Sequence, residues 1–444
     1  MIAYPPRERQ FTSSSVDILR KLDHLRRSMR QFSKGPVMYR YVAPIRLRRL
    51  EARHRRLAQM YIAAAVVTLV AIFCLMKTFG IIGGRFSEEK NAPQRRNMKP
   101  CQQRFGHVTI FVMKNSNDKS MKSIRASLEC YAKGNNYKLL VVDVDKDEKV
   151  KSFCANHQAL KFKRHCAVAA YLDTTDWMLV VDDETGVVNP QHCIEEWIDN
   201  SVDILLYEKL QSWEISSSSY LVRNSDFSRE FLLGLAKWEF RPIPAYDNDD
   251  QGAMMLHLLR LLLPDAVHEL RLCTQLWAQS INFQTYEGMV MCVRQALGAQ
   301  RIWPEKIRIY RKMHGWNRAA WVTKNFWSDA DFMLQGWNQD VSHKANPFQR
   351  NFNLTECDSS LKAWNWKTDL YMDKNEFRNA LLHSEEHYRN EFPNKGRLII
   401  YLEKPEISSC YPDCEKQSRM SPEQYRELIE NAIDKKNDAY SGKH

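Results

Sequence analysis

The stretch WMLVVDDETGVVNP, residues 177–190, decides the reading of this chain. It opens with an apolar run rich in Val, the look of a buried β-strand. That run stops at three successive acidic residues, Asp182, Asp183 and Glu184. In an extended chain alternate side chains point the same way, so Asp182 and Glu184 share a face. Two carboxylates on one face can chelate a hard divalent cation through oxygen. Such a cation neutralises a diphosphate and helps it leave. The plainer alternative is a solvated acidic loop.

To either side of it, HVTIFVM (107–113) and YKLLVVDV (137–144) read as two earlier strands, and VDILLYE (202–208) as a fourth after 177–182. Helical spacing falls between them at 120–133, 154–172 and 193–199. Strand–helix alternation of this kind predicts an α/β fold with a mostly parallel sheet flanked by helices. In such sheets ligands bind beyond the carboxyl ends of the strands, which is where the acidic run stands. Further helices are expected at 227–237 and 251–263, and the tryptophans of 303–337 read as core, with sugar stacking as the alternative.

The chain has 444 residues and a formal charge of +12. Residues 1–59 hold 15 Lys/Arg against four Asp/Glu, so the tail supplies nearly all of the excess. A nucleic-acid-binding domain would carry its charge on the folded part, and no nucleic-acid partner is expected. The run MYIAAAVVTLVAIFCLM (60–76) is apolar on all faces and, with 77–84, reads as one transmembrane helix. Six Lys/Arg in 45–59 against three in 77–91 keep the N-terminus cytoplasmic. The expected order is a basic cytoplasmic tail (1–59), a signal anchor (60–84), a stem (85–105), the main domain (106–415) and a polar C-terminal tail (416–444). This is a type II, single-pass arrangement with the large domain lumenal.

Ten cysteines follow Cys74, an even number that permits up to five disulfides in an oxidising lumen. Their spacing leaves the connectivity open. Zinc is the rival reading for Cys410 and Cys414, without a convincing second ligand pair. Asn353-Leu354-Thr355 is an N-glycosylation sequon, which fits a lumenal domain.

Several segments in order carry a resemblance: KFKRHCAVAAYL (161–172), DDETGVVNP (182–190), SWEISSSSYLVRNSDFSREFL (212–232), DQGAM (250–254) and DFMLQGW (331–337). Over roughly residues 105–415 the chain resembles a nematode family of glycosyltransferase-like proteins filed as a domain of unknown function. That family is placed with the GT-A nucleotide-diphospho-sugar transferases, which have a Rossmann-type sheet, and is related to galactosyl and xylosyl transferases. The resemblance implies a transferase moving a sugar from a nucleotide-sugar donor to a glycan or glycoprotein acceptor in the Golgi or endoplasmic reticulum membrane, with Mn2+ or Mg2+ as cofactor. Asp182 matches the first carboxylate of the family's Asp-x-Asp motif, and Glu184 occupies the second. Gln335 falls where relatives have the His that completes the metal site. Arg164, His165, Asp183, Trp213 and Glu214 match donor-binding segments. Asp250 and Gln251 match a polar pair near the reacting carbon, and relatives of this kind retain configuration.

Three departures bear on activity. Glu184 replaces Asp, Gln335 replaces His, and Ser218 stands where the family tends to have Gly. Two of them fall on the proposed cation, and an amide oxygen is a weaker partner for a transition metal than imidazole. They motivate the competing reading of a catalytically inactive domain that binds glycan or protein. A cell-surface adhesion or receptor domain is the third reading. Among the site residues, Asp250 has an alternative role as the cap of the helix beginning at Gln251, and Trp213 an alternative place in the core.

Overall fold

The computed structural model describes residues 100–414 except 115–121, 242–244, 247–248, 338–345, 359, 392–398, 400–401, 403–405 and 408–409, together with residue 430. The expectations for the basic tail, the membrane anchor, most of the stem and the C-terminal tail fall outside these residues. No helix among the described residues is long and apolar enough to cross a membrane. All the described residues belong to one compact unit, Glu88–His444.

The domain begins β1 (Val108–Lys114), α1 (Lys122–Asn135), β2 (Lys138–Asp143), α2 (Glu148–Phe153), α3 (Leu160–Tyr171), β3 (Trp177–Asp182), β4 (Thr185–Val187), β5 (Ile204–Tyr207) and β6 (Tyr220–Arg223). It continues with the helices α4 (Asp226–Ala236), α5 (Asp250–Leu262), α6 (Val267–Ala278) and α7 (Phe283–Leu297). The short strands β7 (Ile302–Trp303), β8 (Ile307–Tyr310), β9 (Asn317–Ala319) and β10 (Met333–Gln335) precede α8 (Lys374–Glu391). The large sheet has the order β2-β1-β3-β6-β5-β8-β7, and β4-β10-β9 form a second, smaller sheet. In the large sheet β2, β1, β3, β5 and β8 run one way, while β6 and β7 run against them.

The α/β class and the mostly parallel sheet match the sequence expectation, with β6 as the departure. Its four residues follow a run of serines that carries no strand signal. The strand is fixed instead by antiparallel pairing to β3 and β5 on either side. The helix expected at 154–172 is α3, which starts only at Leu160, and a separate short helix, α2, ends before it at Phe153. The break is held by a distant carboxylate: Glu239 Oε1 accepts from the amides of Gln158 (2.8 Å) and Ala159 (2.7 Å). The helix expected at 193–199 is a single 3-10 turn, Ile194–Glu196.

Pleat alternation sorts β3 between two cores. Met178 and Val180 pack on one side of the sheet with Phe162, Val168 and residues of α4, α5 and α7. Trp177, Leu179 and Val181 pack on the other with Ile124 and Leu128 of α1 and with Trp316, Trp327 and Trp337. The tryptophans are therefore core, as expected, apart from Trp321, which is exposed. All ten cysteines beyond Cys74 pair as disulfides: Cys101–Cys193, Cys130–Cys357, Cys154–Cys166, Cys273–Cys292 and Cys410–Cys414. The last replaces the zinc reading, since joined sulfurs are no longer thiolate ligands.

Candidate active site at the end of β3

The same alternation separates Asp182 from Asp183. Asp182 continues the Met178–Val180 side and meets α3 and α5, where Arg164 Nη1 donates to its Oδ1. Asp183 turns to the opposite side and pairs with Arg125 of α1 at 3.6 Å. Glu184 follows in the turn after β3, and it and Asp182 are half-buried while Asp183 is buried. Burial raises the Asp182 carboxyl above its usual range, with the negative charges of Asp250 and Glu184 adding to the rise and Arg164 opposing it. The two carboxylates expected to share a face therefore sense each other.

Gln335 arrives through the register of the small sheet. Antiparallel pairing of β10 with β4 sets Gln335 opposite Thr185, and the Gly336 amide donates to the Glu184 carbonyl at 3.0 Å. The Gln335 Nε2 then donates to Asp182 Oδ2 at 3.0 Å. Gly186 makes this close approach possible, because a Cβ there would lie 2.7 Å from Ser127 Oγ and from the Trp337 ring.

Arg164 is the hub. Its Nη2 donates to Asp250 Oδ2 and to the Ser217 carbonyl, the latter at 3.1 Å, while Nη1 holds Asp182. Burial alone would lower its pKa, but Asp182 and Asp250 outweigh that and keep the guanidinium charged. Asp250 is buried too, which on its own would raise its carboxyl; the Arg164 charge and the bond from His165 hold it well below the usual range. His165 is fully buried, with Nε2 against Asp250 Oδ2 at 3.1 Å and Nδ1 against Tyr220 Oη at 2.9 Å. Burial lowers its pKa, with the Arg164 charge adding to that effect, so it stands neutral with Nε2–H donating to Asp250 and the Tyr220 hydroxyl donating to Nδ1.

The cap of α5 is Asp249, whose side chain accepts from the Gln251 amide at 2.9 Å. This frees Asp250, in the first helical turn, to serve the ion pair. Gln251 binds the neighbouring chain: its Oε1 accepts from the Ser217 amide at 3.1 Å and its Nε2 donates to the Ile215 carbonyl at 2.7 Å. Trp213 and Glu214 lie deeper. Trp213 packs on Tyr388 with centroids 5.2 Å apart, and Glu214 accepts from Tyr286 Oη at 2.6 Å, Ser212 Oγ at 3.0 Å and Lys209 Nζ at 3.1 Å. The structure thus brings Asp182, Glu184, Gln335, Arg164, His165, Asp250 and Gln251 together, with Asp183, Trp213 and Glu214 facing other surroundings. Tyr207 and Asn317 join the neighbourhood without a sequence signal of their own, delivered by β5 and β9, and Ser216, Ser217 and Tyr220 join it from the segment 212–232.

The residue types here are ones a hard divalent cation takes, although both Asp182 oxygens accept N–H groups, from Arg164 and Gln335. Asp182, Glu184 and Gln335 offer carboxylate and amide oxygens, the ligand types such ions take, and a cation would relieve the mutual effect of the two carboxylates. Among the described residues, three clustered His, Cys, Asp or Glu ligand atoms occur at Cys101, Cys193 and Glu195, where the two sulfurs are already joined to each other.

No curated protein matches the chain. Among solved structures, it is similar to the crystal structure of a glycosyltransferase involved in the glycosylation of the major capsid of PBCV-1. The identity is 12%, the match covers 52% of this chain and 93% of that one, and the TM-score is 0.28. A family model described as "Protein of unknown function, DUF273" matches residues 128–352, half of the chain. The chain belongs to the DUF273 family.

Proposed function

We propose that this protein is a GT-A-type glycosyltransferase, moving a sugar from a nucleotide-diphosphate donor to a glycan or glycoprotein hydroxyl. One observation carries the reading: Asp182 ends β3 within reach of the Glu184 charge and is met there by Gln335 from β10. This is the edge at which α/β sheets bind ligands. Asp182, Glu184 and Gln335 would hold Mn2+ or Mg2+, and such an ion supplies charge neutralisation to the departing diphosphate.

The chain's own groups do the rest. Arg164 fixes Asp182 in place and, through its second arm, ties β3 to α5. Asp250 stays ionised, so its charge can stabilise positive charge developing at the reacting carbon while it positions Arg164. Gln251 sets the course of 215–217 past the same point. His165 acts behind Asp250 as a positioning residue, because both of its ring nitrogens are engaged. The five disulfides fit a lumenal, type II placement in the Golgi or endoplasmic reticulum membrane.

Incubating the purified chain with UDP- and GDP-sugars and Mn2+ tests the reading, with release of nucleotide diphosphate as the signal. Release that disappears in Asp182→Asn supports it; no release and no nucleotide binding by the wild type ends it. A second reading, an inactive glycan- or protein-binding domain, is favoured by one specific feature. Both Asp182 oxygens already accept N–H groups, from Arg164 and Gln335. Nucleotide binding without turnover on any acceptor would select it.

A further inference from the structure

Behind the Asp182–Glu184 side lies a cluster of neutral polar groups that the proposed transfer leaves unused. Asn317 Nδ2 donates to Thr185 Oγ1 and to Tyr207 Oη, both at 3.4 Å. Ser216 Oγ donates to Tyr207 Oη at 3.4 Å and meets Ser218 Oγ at 3.0 Å. Ser218 Oγ donates in turn to Gln335 Oε1 at 3.5 Å, so the cluster runs without interruption to Asp182. Tyr207 lies close enough for the Asp182 charge to act on its hydroxyl.

Two properties mark the cluster as more than core. Most of its contacts stand at the outer limit of hydrogen-bond length, where such bonds are weak. Asn317 is 5% exposed, and its Oδ1 accepts no hydrogen bond. Leaving a buried acceptor unpaired is unfavourable and calls for a reason. The groups cannot simply close up on one another. A Cβ on Gly315 would lie 2.7 Å from Tyr207, and Trp316 packs edge-on to the Tyr207 ring at 5.2 Å. The Trp316 indole is anchored on Ser219 Oγ at 2.8 Å.

Neutral donors and acceptors, held at fixed spacing without a charge among them, suit a neutral hydroxyl rather than a phosphate. We infer that Asn317 and Tyr207 are specificity-determining residues that hydrogen-bond a hydroxyl of the donor sugar, with Asn317 Oδ1 as the waiting acceptor. The inference rests on the nucleotide-sugar reading and names the group within it that distinguishes one sugar from another. A site built around a substrate hydroxyl rejects analogues that lack it, because its buried groups are then unpaired.

The test compares the affinity of wild type, Asn317→Ala and Tyr207→Phe for UDP alone with that for UDP-galactose, UDP-glucose and UDP-xylose. Expected is an affinity for the preferred UDP-sugar about tenfold weaker in each variant, with UDP affinity unchanged and the preference among sugars narrowed. Tyr207→Phe keeps the ring and its packing, so it carries the test if Asn317→Ala does not fold. Wild-type ratios in the folded variants would overturn the inference and point to a bridging water instead, while leaving the transferase reading intact. A wild type that binds neither UDP nor any UDP-sugar would overturn both.

Discussion

Arg164 and Asp250 form a buried ion pair, with side chains 5% and 3% exposed. It joins the helix before β3 to the first turn of α5. The second arm of the same guanidinium holds Asp182, so one cation organises both halves of the site.

Removing that cation leaves Asp250 buried near Asp182, with the neutral His165 as its remaining side-chain donor. Breaking a buried pair from one side typically costs about 3–5 kcal/mol. Arg164→Met is expected to lower the unfolding free energy measured in urea by that order, and Arg164→Lys by less, since an ammonium cannot span both carboxylates as a planar fork does. A loss below about 1 kcal/mol for Arg164→Met would show that the pair contributes little.

His257 sets an acid limit. Its Nε2–H donates to the Phe231 carbonyl at 3.0 Å, and its Nδ1 accepts from the Trp238 indole at 3.2 Å. Burial pushes its pKa down to about 3. The unfolded chain takes up the proton near the ordinary histidine value of about 6.5, so it binds more protons than the folded chain between these limits. Stability therefore falls as pH drops from about 6.5 toward 3, with a slope of up to roughly 1.4 kcal/mol per pH unit. Asp250, held low in the folded state, extends the loss below about pH 3.9, the ordinary aspartate value. Urea unfolding at several pH values should show this slope in the wild type and a shallower one in His257→Gln.

The Cys130–Cys357 disulfide joins α1 to a loop 227 residues later. Replacing both cysteines with serine is expected to cost about 2–5 kcal/mol. The measurement is the unfolding midpoint without reductant, and an unchanged midpoint would contradict it.

Asn353 and Thr355 are exposed, and the Asn353 side chain accepts from the Thr355 amide at 3.2 Å in a tight turn. If the domain is lumenal, Asn353 carries a glycan in animal cells. Glycosidase treatment should then reduce the apparent mass, and Thr355→Ala should abolish the shift. Protein from such cells with no shift would count against the lumenal placement.

The sheet was legible in its apolar strands, because β1, β2, β3 and β5 are short Val-, Leu- and Ile-rich runs bounded by polar residues. The separation of Asp182, which meets Arg164, from Asp183, which meets Arg125, followed from strand parity alone. What escaped is what register and long-range capping decide. Nothing local in SSSSYLVR marks a strand wedged antiparallel between β3 and β5. The ion pair of Asp250 was hidden for a similar reason: helix-start chemistry suits Asp249 and Asp250 equally, and only the position of Arg164 tells them apart. Trp213 and Glu214 illustrate the converse. Their motif lies beside the site in sequence, yet Tyr388 and Tyr286 claim their side chains.

The proposed transfer depends on the Asp182–Glu184 side binding a nucleotide diphosphate through a divalent cation. A calorimetric titration of UDP and GDP into the purified chain, with and without Mn2+, for wild type and Asp182→Asn, reads that step itself. Expected is binding at least tenfold weaker without Mn2+, about 1.4 kcal/mol, and a variant that stays folded and has lost the Mn2+ dependence. Wild-type binding indifferent to Mn2+ and to Asp182→Asn, or no binding of either nucleotide, would contradict it.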